Sequence, residues 1–111
     1  MATDKEYLNF VLDQLELAVE ITAKSMFGEY SLYSGGKLFA MLADNRLLIK
    51  PTESGRAFIE NVVEASPYPG AKPCFLIENL DDRKWLAELV RITVKELPLP
   101  KPKKKKVKLK D

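Results

Sequence analysis

Two dipeptides, Gly35-Gly36 and Asp44-Asn45, constrain this chain more than anything else in it. Each sits between short apolar runs and suits a two-residue turn with positive φ at both central positions. Such turns force segments 30–34, 37–43 and 46–50 into neighbouring antiparallel strands. A further strand over 21–27 precedes them, so the expected unit is a meander of three or four strands. Two-residue turns also set the register: Leu32 opposite Phe39, Tyr33 opposite Leu38, Leu42 opposite Leu47 and Met41 opposite Leu48. One face then carries Tyr33, Leu38, Ala40, Leu42, Leu47 and Ile49. The other carries Tyr30, Leu32, Phe39, Met41 and Leu48, with Arg46 and Lys50 at its margin. Both faces are largely apolar, whereas a meander with one wet face alternates more cleanly. The second face therefore needs a cover: a helix, the chain's own loops or another molecule.

Helical periodicity flanks this block. Thr3 and Glu6 form a T-x-x-E capping box, and Leu8, Val11, Leu12 and Leu15 continue as an amphipathic stripe, which predicts a helix over 4–17. Beyond Pro51, the spacing of Phe58, Ile59, Val62 and Val63 predicts a second helix over 53–64. Three prolines and Gly70 make 66–73 a loop, and the apolar run 74–78 reads as a last strand. A third helix, capped by Asp81 or Asn79 and favoured by Asp82 at the positive end of its dipole, buries Trp85, Leu86, Leu89, Val90 and Leu97. Ile92 and Val94 widen that stripe, and Pro98 stops the helix. The expected fold class is α+β in two layers, ordered helix–antiparallel β-meander–helix–strand–helix, over residues 1–97.

At 111 residues the chain suffices for one domain. It has no apolar run long enough to span a membrane and no apolar h-region at its start. Cys74 is the sole cysteine, so no internal disulfide is available, and a reducing, cytoplasmic setting is the expectation. The formal net charge of +2 conceals two opposite parts. Residues 1–100 hold 11 Lys+Arg and 15 Asp+Glu, a net −4, whereas residues 101–111 hold seven lysines and one acid, a net +6. Residues 98–111, with prolines at 98, 100 and 102, read as an extended, disordered basic tail that cannot offset its ordering entropy alone.

Chemistry is limited by what is missing. Without histidine there is no serine or cysteine triad and no histidine-based metal site; no P-loop, dinucleotide fingerprint or EF-hand loop occurs either. Cys74, between Pro73 and Phe75, reads as a buried inert thiol more readily than as a nucleophile. Asp81-Asp82 reads as helix capping more readily than as a metal pair. No catalytic residue, metal ligand or cofactor is expected. Tyr30, Phe39, Met41, Arg46, Leu48 and Lys50 make a candidate interaction face. The aromatics with Arg46 and Lys50 could stack bases, but Lys37-Leu38-Phe39 does not match the RNA-recognition signature, so a protein partner is the better reading. The tail lysines Lys101, Lys103, Lys104, Lys105, Lys106, Lys108 and Lys110 are the candidate contacts to nucleic acid. They would hold phosphates weakly and without reading sequence, since arginine forks are absent from the tail.

The stretch from Ser25 to Lys50 resembles the N-terminal domain family of TfoX/Sxy competence regulators. Met26-Phe27-Gly28, Tyr30, Tyr33, Gly36, Lys37, Phe39, Ala40, Asp44, Leu47 and Lys50 occupy the places of that family's M-F-G, aromatic hairpin, K-x-F-A and L-x-x-K pattern. The opening helix and Trp85 also fit, so the resemblance covers about residues 4–97. It implies a two-layer fold like that of secretion chaperones and no catalytic residues. It also implies kinship with bacterial regulators that switch on DNA-uptake genes together with the cyclic-AMP receptor protein. Those regulators carry a second, helical C-terminal domain, and this chain ends in lysines instead, which leaves the competence role in question. Within M-F-G, the residues read as structural: Gly28 for a backbone bend and Phe27 as a core anchor. The apolar excess on the sheet and on the third helix predicts a protein partner, with a homodimer as one form of it.

Overall fold

A computed structural model describes residues 3–16, 18 and 20–98. The elements run α1 (Lys5–Gln14), β1 (Thr22–Met26), β2 (Glu29–Ser34), β3 (Lys37–Ala43), β4 (Arg46–Ile49), α2 (Glu53–Ile59), β5 (Glu64–Ala65), β6 (Cys74–Ile77) and α3 (Arg83–Glu96). The strands form one antiparallel sheet in the order β1-β2-β3-β4-β6-β5, with the helices packed on one face. This is the expected α+β order, with one added strand. The expectation for the basic tail falls on residues that, from 99 onward, lie outside those described.

Both predicted turns are present. Gly35 and Gly36 have φ of 58° and 80°, and Asp44 and Asn45 have φ of 54° and 55°. The register from the second turn is as expected, with Leu42 opposite Leu47 and Met41 opposite Leu48. The first hairpin departs from expectation one residue in. Tyr33 faces Leu38, but Leu32 faces Ala40 rather than Phe39, so Phe39 is an extra residue in β3. This bulge lets Phe39 and Ala40 both enter the core, and both are fully buried. The carbonyl of Phe39 stays satisfied, accepting from the Lys50 N–H at 2.9 Å.

The bulge reassigns the faces. Tyr30, Leu42, Leu47 and Ile77 form one cross-strand row, and Leu32, Ala40, Ile49 and Phe75 the next. These rows pack against Leu8, Val11 and Leu15 of the α1 region and Leu86, Leu89 and Val90 of α3. The outer row is Ser31, Met41, Leu48 and Leu76. The chain's own loop after β5 covers part of it. Arg46 Nη2 donates to the Ser66 carbonyl at 3.5 Å, Pro67 is buried, and Tyr68 reaches the surroundings of Met41.

Local chemistry explains the remaining boundaries. Thr3 does not cap α1; Asp4 holds the cap position, without a side-chain cap bond, because the Thr3 hydroxyl is used elsewhere. Helix α1 stops at Gln14, with Leu15 at its C-cap and residues 15 and 16 in a turn, rather than running on to 17. Helix α2 stops at Ile59, not at 64, since Glu60 takes φ of 70°. Val62 and Val63 then lead into β5, as β-branched residues favour. Asp82, rather than Asp81 or Asn79, caps α3, accepting from the Trp85 N–H at 3.1 Å. Asn79 instead accepts from the Asp81 N–H at 3.1 Å.

Helices α2 and α3 are joined by one carboxylate. Glu96 accepts from the Glu53 and Ser54 N–H groups, each at 2.9 Å, where α2 begins. Hydrogen bonds from Ser54, side chain and backbone, and then from Glu53 hold its carboxyl below the ordinary glutamate range. Because the folded-state value is lowered, this contribution is present above the unfolded value and is lost as pH falls through the folded one. The Glu53 and Ser54 amide resonances should therefore titrate together, with a midpoint below the ordinary glutamate range. A midpoint at or above that range would contradict the link.

Candidate functional site

The third tight turn of the meander carries a residue that sequence reasoning misplaced. Phe27 and Gly28 join β1 to β2 with φ of 53° and 82°. Phe27 is no core anchor: it is 98% exposed at the hairpin tip. A bulky residue in the left-handed region costs about 1–2 kcal/mol, so this conformation persists only where the surroundings impose it. The surroundings are the start of the chain. The Thr3 N–H donates to the Gly28 carbonyl at 2.9 Å, and its hydroxyl donates to Glu29 Oε1 at 2.6 Å. The same hydroxyl accepts from the Asn45 N–H at 3.3 Å, while Asn45 Oδ1 accepts from the Asp4 N–H at 2.9 Å. Glu29 also accepts from the Asp44 N–H at 3.2 Å. Residues 3 and 4 thus bind two turns, 27–28 and 44–45, to each other.

Beside the tip lies a groove of about 470 Å³ lined by Met26, Phe27, Glu29, Tyr30, Ser31, Met41 and Tyr68. Met26 and Tyr68 are themselves largely exposed. The groove is apolar apart from Ser31 and Glu29. An adjoining hollow adds Asp44, Arg46 and the loop from Ser66 to Gly70. Arg46 is turned toward backbone carbonyls, those of Ala43 and Ser66.

The expected interaction face is only partly brought together. Tyr30 and Met41 line the groove and Arg46 its neighbour. Phe39 and Leu48 are fully buried, Phe39 in the core because of the bulge and Leu48 within the outer row, so neither offers surface. Lys50 is half-buried at the far end of β4, close enough to Cys74 to act on its thiol. A stacking platform of Tyr30 and Phe39 does not exist. The tail lysines lie outside the described residues. Missed were Met26, Phe27 and Tyr68, for which exposure gave no sequence signal; a Phe-Gly pair between two strands was the available clue to a tight turn.

Cys74 is half-buried rather than buried, and its pKa is raised by burial, which Lys50 only partly opposes. Alkylation at neutral pH should run slower than for a free cysteine; fast modification would revive a nucleophilic role. Among the described residues, no group of three acids or thiols is placed to hold a metal ion, and no helix is long and apolar enough to cross a membrane.

Fold and site together define a two-layer α+β domain with helices on one sheet face and an exposed apolar hairpin tip at the edge of the other. Residues 13–97 match the TfoX N-terminal domain family, and the chain belongs to that family. It is also 43% identical over 99 residues to an uncharacterized 12.7 kDa protein from the trpE 5′ region of Spirochaeta aurantia, covering 88% of this chain and 86% of that one.

Proposed function

We propose that this domain is a cytoplasmic, non-enzymatic regulatory module that works by docking a protein at the Phe27 hairpin tip, in the manner of a transcriptional co-regulator related to competence regulators. Membership of a family of regulatory domains supports the class. The observation that carries the site is Phe27, fully exposed in a strained backbone beside an apolar groove. Strain and exposed apolar surface both cost stability, and both are retained where they serve recognition. Deleting the gene in the cell that encodes it should alter a defined set of transcripts. Complementation with the wild-type gene should restore them, and complementation with Phe27→Ser should not. Full rescue by Phe27→Ser, at equal protein level, would sink this reading.

The seven lysines within residues 101–110 favour a second reading, weak and sequence-indifferent nucleic-acid binding. Replacing all seven with glutamine should abolish retention on a DNA column at low salt. Unchanged retention would transfer the affinity to the folded body.

A further inference from the structure

The open edge of β1 is complementary to itself, and we infer that two copies of this chain join there, β1 against β1, into one sheet continuous across both. The Phe27 tip takes no part in the pairing, so the inference stands apart from the docking proposed at that tip.

The first argument is the backbone. Strand β1 ends the sheet on one side and pairs with β2 alone. Among the described residues, Thr22–Met26 form no backbone hydrogen bonds besides those to β2. The turn after β1 has two residues, Phe27 and Gly28, so Met26 and Glu29 are its hydrogen-bonded closing pair. By alternation Lys24 and Thr22 also turn their backbone groups to β2, while Ala23 and, just before the strand, Ile21 turn theirs to the open edge. The opposite edge, β5, is two residues long and offers no comparable ladder.

The second is charge. Ile21 and Ala23 pack toward the core, so Glu20, Thr22 and Lys24 fall on the outer face, where all three are exposed. In an extended chain Glu20 and Lys24 stand about 13 Å apart, too far to pair with each other. Neither has an ion-pair partner among the described residues. Lys24 Nζ rests 5.1 Å from the centroid of the Tyr33 ring, a contact that leaves its N–H donors for a carboxylate.

The third is register. A two-fold axis perpendicular to the sheet, between the two Thr22 residues, sets Glu20 opposite Lys24 of the second copy, and the symmetry repeats the pair. Ile21 then faces Ala23 of the second copy, and these pairs supply about four new backbone bonds. An axis at Lys24 would oppose two ammonium groups, and one at Ala23 would set both charges against neutral residues. An axis at Ser25 would run the ladder into the Phe27 turn. The Thr22 axis also leaves both grooves on one face, with the two tips about 33 Å apart along the strands.

Sedimentation velocity of the full chain is the test. So short a ladder belongs with weak interfaces, and association should set in between about 10 µM and 1 mM. Glu20→Lys alone and Lys24→Glu alone should each weaken it about tenfold, because each opposes like charges twice. An equimolar mixture of the two variants should associate at least as well as wild type. Each reversal changes the net charge of +2 by two, to +4 and to 0, so overall attraction does not account for that rescue. Three results would overturn the inference: a monomer throughout the range, a single variant that associates as well as wild type, or a mixture that associates no better than its parts. The Phe27→Ser rescue is decided separately from all three.

Discussion

Phe39→Ala should destabilise the domain by about 3–5 kcal/mol, whereas Phe27→Gly should leave stability within about 1 kcal/mol of wild type or raise it. The two phenylalanines lie in one meander, twelve residues apart, and their roles are opposite. Phe39 is fully buried at the bulge, among Leu32, Ile49 and the α3 stripe. Its removal leaves a cavity between the two layers that a sheet held by two tight turns cannot readily close. Phe27 buries almost nothing and sits at φ of 53°, a region glycine enters freely. Relief of that strain opposes the extra unfolded-state entropy of glycine, so the net change is small. Urea denaturation of both variants is the check. A loss of more than about 2 kcal/mol for Phe27→Gly would mean that the tip supports the fold after all.

Gly55→Ala should also destabilise, by about 1–3 kcal/mol, against the sign that helix propensity alone predicts. Gly55 is the third residue of α2 and is buried. A Cβ there would stand 2.7 Å from Thr52 Oγ1, 3.3 Å from a Phe75 ring carbon and 3.6 Å from Leu89 Cδ1. The first of these is the capping oxygen, which accepts the Gly55 N–H at 2.9 Å. Alanine would therefore both crowd the core and displace the cap, while its gain in an exposed helix is only about 1 kcal/mol. Thermal melts of Gly55→Ala and Thr52→Ala decide the matter. A more stable Gly55→Ala protein would show that α2 can move away from β6 at little cost.

Where the sequence was readable, the reason was local chemistry. Gly35-Gly36 and Asp44-Asn45 are residue types that the left-handed region favours, so both turns, and the register of β3 on β4, came directly from them. The bulge at Phe39 has no such local cause. It arises because a phenylalanine next to a small alanine can share the core face, a fact about the space between sheet and helices. One misplaced residue was enough to move Tyr30 and Leu32 across the sheet and to group them with Met41 and Leu48 of the outer row. Phe27 was misread for a related reason: apolarity says that burial would be favourable, not that the fold provides it. The cap at Asp82 instead of Asp81 is a shift of one residue, and the end of α2 at Ile59 goes with the positive φ of Glu60 and the pairing of β5 with β6. The groove combines residues from β1, the tip, β2, β3 and the loop after β5, a set no spacing rule assembles.

The ties made by Thr3 and Asp4 impose an order of events on folding. Helix α1 precedes the meander in the chain, but its anchoring partners at Gly28, Glu29 and Asn45 lie 25 to 42 positions downstream. The hairpins close over two-residue turns and can form as soon as their strands exist, whereas the anchor closes long loops and waits for both turns to be in place. The anchor of the earliest helix therefore closes after the two turns that it joins. Until it does, the Phe27 tip is free to leave its left-handed geometry, so a nascent or partly unfolded chain displays a different surface from the finished one. Recognition at that tip would then discriminate a chain whose head is fastened from one whose head is loose, with the head of the chain serving as a latch on the two turns made after it.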